Sequence, residues 1–484
     1  MKAANWLDRV ILAVNPVRGR VRIQNRLRAT AMMNYDAASR GRRTYGFRAP
    51  GTSADAAIFG QSGRLRNISR DFLRNNPLAV RAREVVVANV VGAGIQFSVK
   101  HKDRETRARV ENVLKRHLLT PDIDAHGEYD LHEMQEVIMS SVFSDGEVLA
   151  LRRIRRGAFG QGLALGFQIE LLEADFLDTT IQSNGQNEVI DGVEYGPTGS
   201  IEAYHLYRDH PGSVSTRKTT ESRRVPWQDV IHIRRIERAG QLRGVPWLAP
   251  VLMTMGELRD YQEAQILKQR MAAMLAGVLE WEDGARPSGY NATGLEKLEP
   301  GSIADAPEGA KVKWTEPPSV DGYSEFMAGS LRTMAVGLGL SYEALSGDLS
   351  GVNFSSARMG RMEMDRNIQR WQKHLMINQF CAGVARWVAE AWPMQSELPR
   401  EAFEIEWTPP KRALIDPNKE VRAVIEQIDA GLTSRQRAQR ELGYDPDTIR
   451  QEIAEDMQED AEAGLPPRIT APATDGQINE EDDA

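Results

Sequence analysis

Apolar residues spaced by three and four positions mark two long segments of this chain, and a two-residue alternation marks a third. Leu248, Val251, Leu252, Met255, Leu258, Leu267, Met271, Met274, Leu275 and Val278 fall on one helical face and predict a helix from Trp247 to about Leu279. It would be roughly 45 Å long at 1.5 Å per residue. Met364, Ile368, Trp371, Leu375, Val384, Trp387, Val388 and Ala391 predict a second helix from about Ser356 to Trp392, ending before Pro393. Gly360 and Gly383 would allow that helix to bend. Between Glu147 and Ile236 the period is two, in short runs split by Gly, Asn and Pro, which reads as an antiparallel sheet.

Local signals place the remaining elements. Ser62 is a candidate cap for a helix to Arg74, and Asn75-Asn76-Pro77 restarts a second one that ends at Gly92-Ala93-Gly94. A strand (Ile95 to Val99) and a charged helix (Asp103 to Leu119) follow, and Asp130 with Glu133 has capping-box spacing ahead of a helix to Phe143. Residues 281–322 are punctuated by prolines and show little strand character, and a helix from Tyr323 to Val336 follows them. One strand (Phe403 to Trp407) and helices Asn418 to Ala430, Ser434 to Leu442 and Asp447 to Ala461 complete an α+β body. The tail past Pro466-Pro467 is polar and acidic, and disorder is expected there.

The segment from Gly337 to Trp392 is the most informative. A small polar loop (Ser346 to Ser356), with Leu349 and Phe354 as its large side chains, opens into the second long helix. Such a loop suits a surface that something slides past. Leu349, Ser350, Asn353, Phe354 and Ser355 are its candidate contact residues, and Arg358 and Arg361, in the first turns of the helix, are candidates for phosphate contact. Ser346, Ser350, Ser355 and Ser356 have no base at plausible spacing, so turn and cap chemistry explains them individually.

Composition narrows the function. The single cysteine, Cys381, rules out an internal disulfide and argues for a reducing compartment. No apolar run is long enough to span a bilayer, and no secretory signal is expected. Net charge is −7, with arginines crowding the first 120 residues and acids the last thirty. A basic start can touch phosphate, but arginines on solvated helices are the commoner explanation. Phosphate-binding loops, dinucleotide fingerprints and nucleophile elbows are absent from the sequence. His132-Glu133 fails the zinc pattern because position 136 is Glu, and His205, His210 and His232 are scattered, so neither metal nor cofactor is expected. An acidic cluster of Asp175, Asp178 and Asp191 keeps a metal-dependent DNA hydrolase open as an alternative, and a scaffold or adaptor without a pore is another.

Several runs together resemble the lambda-type tailed-bacteriophage portal proteins. They are Arg70-Asp71-Phe72-Leu73-Arg74-Asn75-Asn76-Pro77, Ala88 to Ile95, Gly244 to Pro250, Leu345 to Arg358, and the Ala430 to Ser434 turn with Gly443-Tyr444-Asp445. The resemblance implies a homo-oligomeric ring, usually a dodecamer, at one vertex of the virion capsid, assembled in the host cytoplasm and without enzymatic activity. Double-stranded DNA would pass through its channel. The implied partners are the terminase large subunit, head-tail connector proteins and the major capsid and scaffold proteins, with no membrane. The implied organisation is a basic arm (1–60), an α+β wing (61–245 and 394–416), a stem (246–280 and 323–345) flanking a clip (281–322), a tunnel loop (346–356), a long tunnel helix (357–393), a helical crown (417–465) and an acidic tail (466–484).

Overall fold

The computed structural model describes residues 10–11, 13–18, 21–22, 46, 51–215, 219, 221–273, 277–281, 310–314, 322–351, 353–394, 402–410, 416–444 and 446–465. It divides into two units, Met1–Ala57 and Ile58–Ala484. In the first, helical turns around residues 10–22 expose Val10, Val14, Val17 and Val21, and the Asn15 side chain accepts the Arg18 amide at 3.2 Å.

The second unit mixes helix and sheet, as the alternating periods predict. Helix α1 (Ser62–Asn75) begins one residue after Gln61, which makes no side-chain cap bond, so Ser62 is the first helical residue and not the cap. Asn76 caps α2 (Pro77–Val90) by accepting the amides of Leu78 and Ala79 at 2.9 and 3.3 Å, with Pro77 at the first position. Strand β1 (Gln96–Lys100) and α3 (Arg104–Leu118, capped by Asp103) follow. Helix α4 (Leu131–Asp145) opens on the Asp130–Glu133 capping box, both halves of which are formed.

Strands β2 (Glu147–Ile154), β3 (Phe167–Glu173) and β8 (Val230–Arg234) form an antiparallel sheet in the order β3-β2-β8. A second antiparallel sheet orders β4 (Glu188–Ile190), β5 (Val193–Tyr195), β6 (Ile201–Tyr207) and β7 (Ser222–Pro226) in sequence. Strand β2 is buried on both sides. Its Val148 and Ala150 join the large helical core, while Leu149 and Leu151 join a smaller core with Leu177, Val193, Tyr204 and Leu206.

Helix α5 (Leu252–Ala273) is shorter at both ends than the apolar spacing suggested. Pro250 supplies no amide hydrogen and disfavours helix at Ala249, so Trp247–Val251 is a turn. Past the helix, β9 (Gly277–Trp281) pairs antiparallel with β10 (Ala310–Trp314), placing Val278 and Leu279 in a strand instead of the helical stripe. The expectation of little strand content in 281–322 therefore fails at β10. Met274 and Leu275, and the other residues of that stretch, lie outside the described residues.

Helices α6 (Tyr323–Leu338), α7 (Tyr342–Ser346) and α8 (Phe354–Trp371) lead into a ten-residue π-helical stretch, Gln372–Cys381, and then α9 (Ala382–Ala391). The long segment stays helical through Gly360 and Gly383. Gly383 instead gives close approach: a Cβ there would lie 2.4 Å from Ile231 of β8. The π stretch projects Gln372 and Gln379 sideways. Gln372 donates to the carbonyls of Asn89 and Val90, both at 3.2 Å, and Gln379 pairs with the Arg234 backbone at 2.9 and 3.0 Å. Strand β11 (Glu404–Thr408) pairs antiparallel with β1 across more than three hundred residues of sequence. Helices α10 (Pro417–Asp429), α11 (Arg435–Glu441) and α12 (Pro446–Glu462) close the described chain.

Candidate functional site

The loop from Ser346 to Ser356 is shaped by one carboxylate. Asp348 Oδ1 accepts the Ser350 amide at 3.0 Å and the Ser350 hydroxyl at 2.6 Å, and Oδ2 accepts the Tyr342 hydroxyl at 3.3 Å. The Asp348 amide in turn donates to Ser346 Oγ at 3.1 Å. These bonds, led by the Ser350 hydroxyl, hold the Asp348 carboxyl below its ordinary range. Gly347, at φ +71, ends α7 in the left-handed conformation that starts the turn.

Below the tip, the structure grips both legs. On the entering leg, the Leu338 carbonyl accepts the Trp247 indole N–H at 3.1 Å, and Arg81 donates to the Ala344 carbonyl at 3.1 Å. On the leaving leg, Asn367 donates to the Gly339 carbonyl at 3.2 Å, and Trp371 packs so close to Gly339 (φ +74) that an added Cβ would lie 3.3 Å from its ring. Trp371 also meets Trp247 edge-on at 4.7 Å, and Trp247 stacks on Phe143 at 5.7 Å. The Arg235 guanidinium lies 4.4 Å over the Trp247 ring. This aromatic ladder ties α4, the turn before α5, and α8 into one support.

The expected contact residues distribute as follows. Leu349 is 68% exposed and lines a cleft of about 220 Å³ with Asn89, Glu343, Arg361, Met364 and Ile368. Leu349 and Arg361 are thus brought together. Ser350 is exposed and bonded to Asp348, and Asn353 and Arg358 are exposed as well. Phe354 and Ser355 supply the first backbone positions of α8, and their side chains lie outside the described residues. Asp348, Asn367 and Arg81 were not anticipated. Only Asp348 carried a local signal, an Asp two residues before a Ser in a turn.

A second cluster of charge lies at the sheet-to-helix junction. Glu147 is fully buried and accepts Arg243 Nε at 2.8 Å, the Gly244 amide at 2.7 Å and His232 Nε2 at 3.0 Å. Burial opposes its ionisation, but Arg243 and His232 prevail and hold the carboxyl far below the usual range. His232, also buried, is pushed down to about 4 by desolvation first and by Arg234 next. It is therefore neutral near pH 7 and donates its Nε2–H to the carboxylate.

The acidic residues considered for metal binding do not converge. Asp175 is paired with Arg66 at 2.9 Å and Arg70 at 2.7 Å. Asp178 accepts from Thr180 and Tyr207, and Asp191 sits in a turn at φ +49 with its carbonyl on Arg243. Among the described residues, the group close enough to share an ion is Glu173, Asp175 and His210, and the Arg70 guanidinium already lies on both of its carboxylates. Glu133 is spent on its capping box, and His205 on Glu194. Arg66, Arg70 and Arg81 from the basic N-terminal third are likewise committed to contacts inside the fold. No described helix is long and apolar enough to cross a membrane.

A family model described as phage portal protein, lambda family, matches residues 40–372. The probable portal protein of Halomonas phage phiHAP-1 is 28% identical over 444 residues, covering 85% of this chain and 83% of its own. The portal protein of Escherichia phage N15 is 25% identical over 502 residues, covering 91% and 93%. Among solved structures, a chain from the neck of a native gene transfer agent (GTA) particle computed with C12 symmetry aligns with a TM-score of 0.46 and 15% identity, over 78% of this chain and 94% of that one.

Proposed function

The chain belongs to the lambda family of phage portal proteins, and on that premise we propose that its copies form a ring at one capsid vertex, the conduit through which double-stranded DNA is packaged and ejected. The observation that carries the mechanism is the loop after α7. Its exposed tip is held in one shape by Asp348, on legs clamped by Trp247, Asn367 and Trp371. In this reading the tip, with Leu349, Ser350, Asn353, Phe354 and Ser355, faces the passing duplex, and Arg358 and Arg361 lie next to it. A stiff base resists the drag of a moving polymer, and a tip of small polar and single apolar groups gives it little to hold.

The charge balance supports passage over grip. A net charge of −7 per copy multiplies around a ring and repels a polyanion, keeping binding by counterion release weak. The terminase large subunit would dock on one end of the ring during packaging, and head-tail connector proteins would take that end later. Major capsid and scaffold proteins would surround the ring at the vertex.

Mass measurement of the purified assembly with end-on electron microscopy tests the ring. A closed annulus with a central hole is expected, and a monomer or a solid disc refutes it. Replacing Asn353–Ser356 by glycines tests the loop. Intact rings with impaired DNA packaging or retention are expected, and normal virion yield would remove the loop from the DNA path.

A further inference from the structure

The two antiparallel sheets share the smaller apolar core, and strand alternation fixes which side chains stand at each end of it. Leu149 and Leu151 of β2, Leu172 of β3, Tyr204 and Leu206 of β6 and Val225 of β7 belong to it. The register sets Leu149 opposite Leu172, Tyr204 opposite Val225 and Leu206 opposite Arg223. One end is closed by His232, which meets the Tyr204 ring edge-on at 5.7 Å and bonds Glu147 at 3.0 Å. At the other end the same faces turn charged. Arg153 follows Leu151 on β2, Glu170 lies opposite Leu151 on β3, Arg208 follows Leu206, and Arg223 precedes Val225. The Arg208 amide still donates to the Glu221 carbonyl, at 3.4 Å, so the β6–β7 pairing carries past Tyr207.

Cations outnumber anions at this mouth. Glu170 is bonded to Arg153 and has His126 Nε2 at 3.8 Å. Arg223 is half-buried, its Nε is shut off from solvent without a hydrogen-bond partner, and neither it nor the exposed Arg208 makes an ion pair among the described residues. Desolvation first and Arg153 next push the Arg223 guanidinium below its ordinary range; Glu170 offsets this in part and Arg208 adds to it. Arg155, held by Gln168 at 2.6 Å, is a further cation at the rim. The other carboxylates nearby are engaged or exposed. Asp209 alternates to the opposite face and holds the Thr219 amide at 2.8 Å, and Asp124 holds the Glu128 amide at 2.8 Å. Asp122 lends its carbonyl to Gln168 at 3.1 Å, and Glu221 is exposed without an ion pair among the described residues. Guanidiniums gathered at the mouth of an apolar core are unfavourable until an anion joins them.

We propose that this mouth binds a phosphate-type oxyanion, held by Arg153 of one sheet and by Arg208 and Arg223 of the other, so that the ligand bridges the two sheets. Guanidinium forks donate in pairs, and a tetrahedral oxyanion offers four oxygens to three forks where a carboxylate offers two. Three guanidiniums against the half-buried Glu170 leave an excess of positive charge near that of a phosphate group, about −1.5 to −2 at pH 7, with the sign reversed. Glu221 reduces that excess little, because it is exposed and screened by water. The site lies within one copy and stands whether or not copies form rings.

Equilibrium dialysis of the full-length chain against radiolabelled inorganic phosphate, at fixed ionic strength, tests it. Saturable uptake of about one ion per chain is expected, displaced by sulfate and not by acetate. Arg208→Gln with Arg223→Gln is expected to weaken the binding at least about tenfold. Thermal unfolding separates a binding role from a structural one. Without phosphate the double variant should unfold at the temperature of the parent or above it, because repulsion is relieved, and it should lose the rise that phosphate gives the parent. A variant that unfolds well below the parent in phosphate-free buffer would make these arginines structural and overturn the site. Uptake by the parent that never saturates, or saturable uptake that the double variant retains, would overturn it as well. A short DNA duplex at matched phosphate concentration identifies the source of the oxyanion. No displacement is expected, which assigns the site to the free ion; displacement would keep the site and make the backbone phosphodiester its ligand.

Discussion

His117 and His232 are buried imidazoles whose protonation the fold suppresses, each pushed down to about 4 by desolvation. His117 packs edge-on against Phe167, and His232 lies on Glu147. In the unfolded chain both titrate near their ordinary value of about 6.5. Between about 6.5 and 4 the unfolded state binds more protons than the folded one, so stability rises with pH across that window and is lost as pH falls through it. Each ring contributes on the order of 3 kcal/mol over the full window, from a shift of about two and a half pH units. The Glu147 carboxyl is shifted the other way and far down, so its contribution persists through this window and is lost only in stronger acid. Urea unfolding at a series of pH values is expected to show the loss, and His232→Asn should remove about half of the slope; an unchanged slope would mean that other groups carry it. Local residue signals were legible in the sequence: Asn76-Pro77 and the Asp130–Glu133 pair cap helices as their spacing implies. The partner of Glu147 was not, because Arg243 is 96 residues away and only the folded sheet brings it near.

Elements meet most tightly where α4 passes into β2 and the chain returns through Gly244. A Cβ on Gly244 would lie 2.1 Å from the Gly146 carbonyl oxygen, and one on Gly146 (φ +89) 2.3 Å from the Val245 backbone. Both neighbours are backbone and cannot rotate away, so Gly244→Ala is expected to cost about 3 kcal/mol, the upper part of the overpacking range. Thermal unfolding against Gly351→Ala provides the check, since Gly351 has nothing within 4 Å and should be close to neutral. At the loop, Asp348→Ala removes the acceptor of both Ser350 bonds and of Tyr342. Rings should still assemble while DNA retention falls, whereas Asp348→Asn keeps one carbonyl oxygen for the turn and should retain most function. Equal virion yields from all three proteins would show that the tip's shape is irrelevant. The helical faces were readable because burial on one side imposes a three-and-four spacing over many residues. Their ends were not: Pro250 delays α5, and β9 turns Val278 and Leu279 into a strand whose partner β10 begins only at Ala310. The π-helical stretch from Gln372 to Cys381 had no sequence signal, because its wider turn is set by what Gln372 and Gln379 reach for in α2 and β8.

For the whole molecule, the decisive quantity is how a net-negative protein treats a passing polyanion. For the arginines crowding the N-terminal third, the sequence favoured solvated helices over phosphate contact, but Arg66 and Arg70 pair with Asp145 and Asp175 inside the fold, while the exposed Arg81 donates to the Ala344 carbonyl. Composition reads charge without its pairing, so this part of the candidate interface could not be judged before the structure placed the partners. Near the loop stand Arg358, exposed, Arg361, half-buried in the cleft beside Leu349, and the exposed Arg332, 5.0 Å over the Tyr342 ring. Both these cations and the net charge of −7 per copy multiply around a ring, and the excess of negative charge opposes holding a polyanion. Binding of linear duplex DNA by assembled rings should therefore be weak, and its logarithmic salt slope should be shallower than about −5, since each phosphate neutralised at one time contributes about −0.9. Fluorescence anisotropy across a salt titration measures that slope directly. Replacing Arg358 and Arg361 by Gln should flatten it further without changing ring mass. A steep slope near −5 or beyond in the parent protein would show many phosphates held at once. The bore would then be a clamp, and the low-friction account of the loop would fail even with the annulus intact.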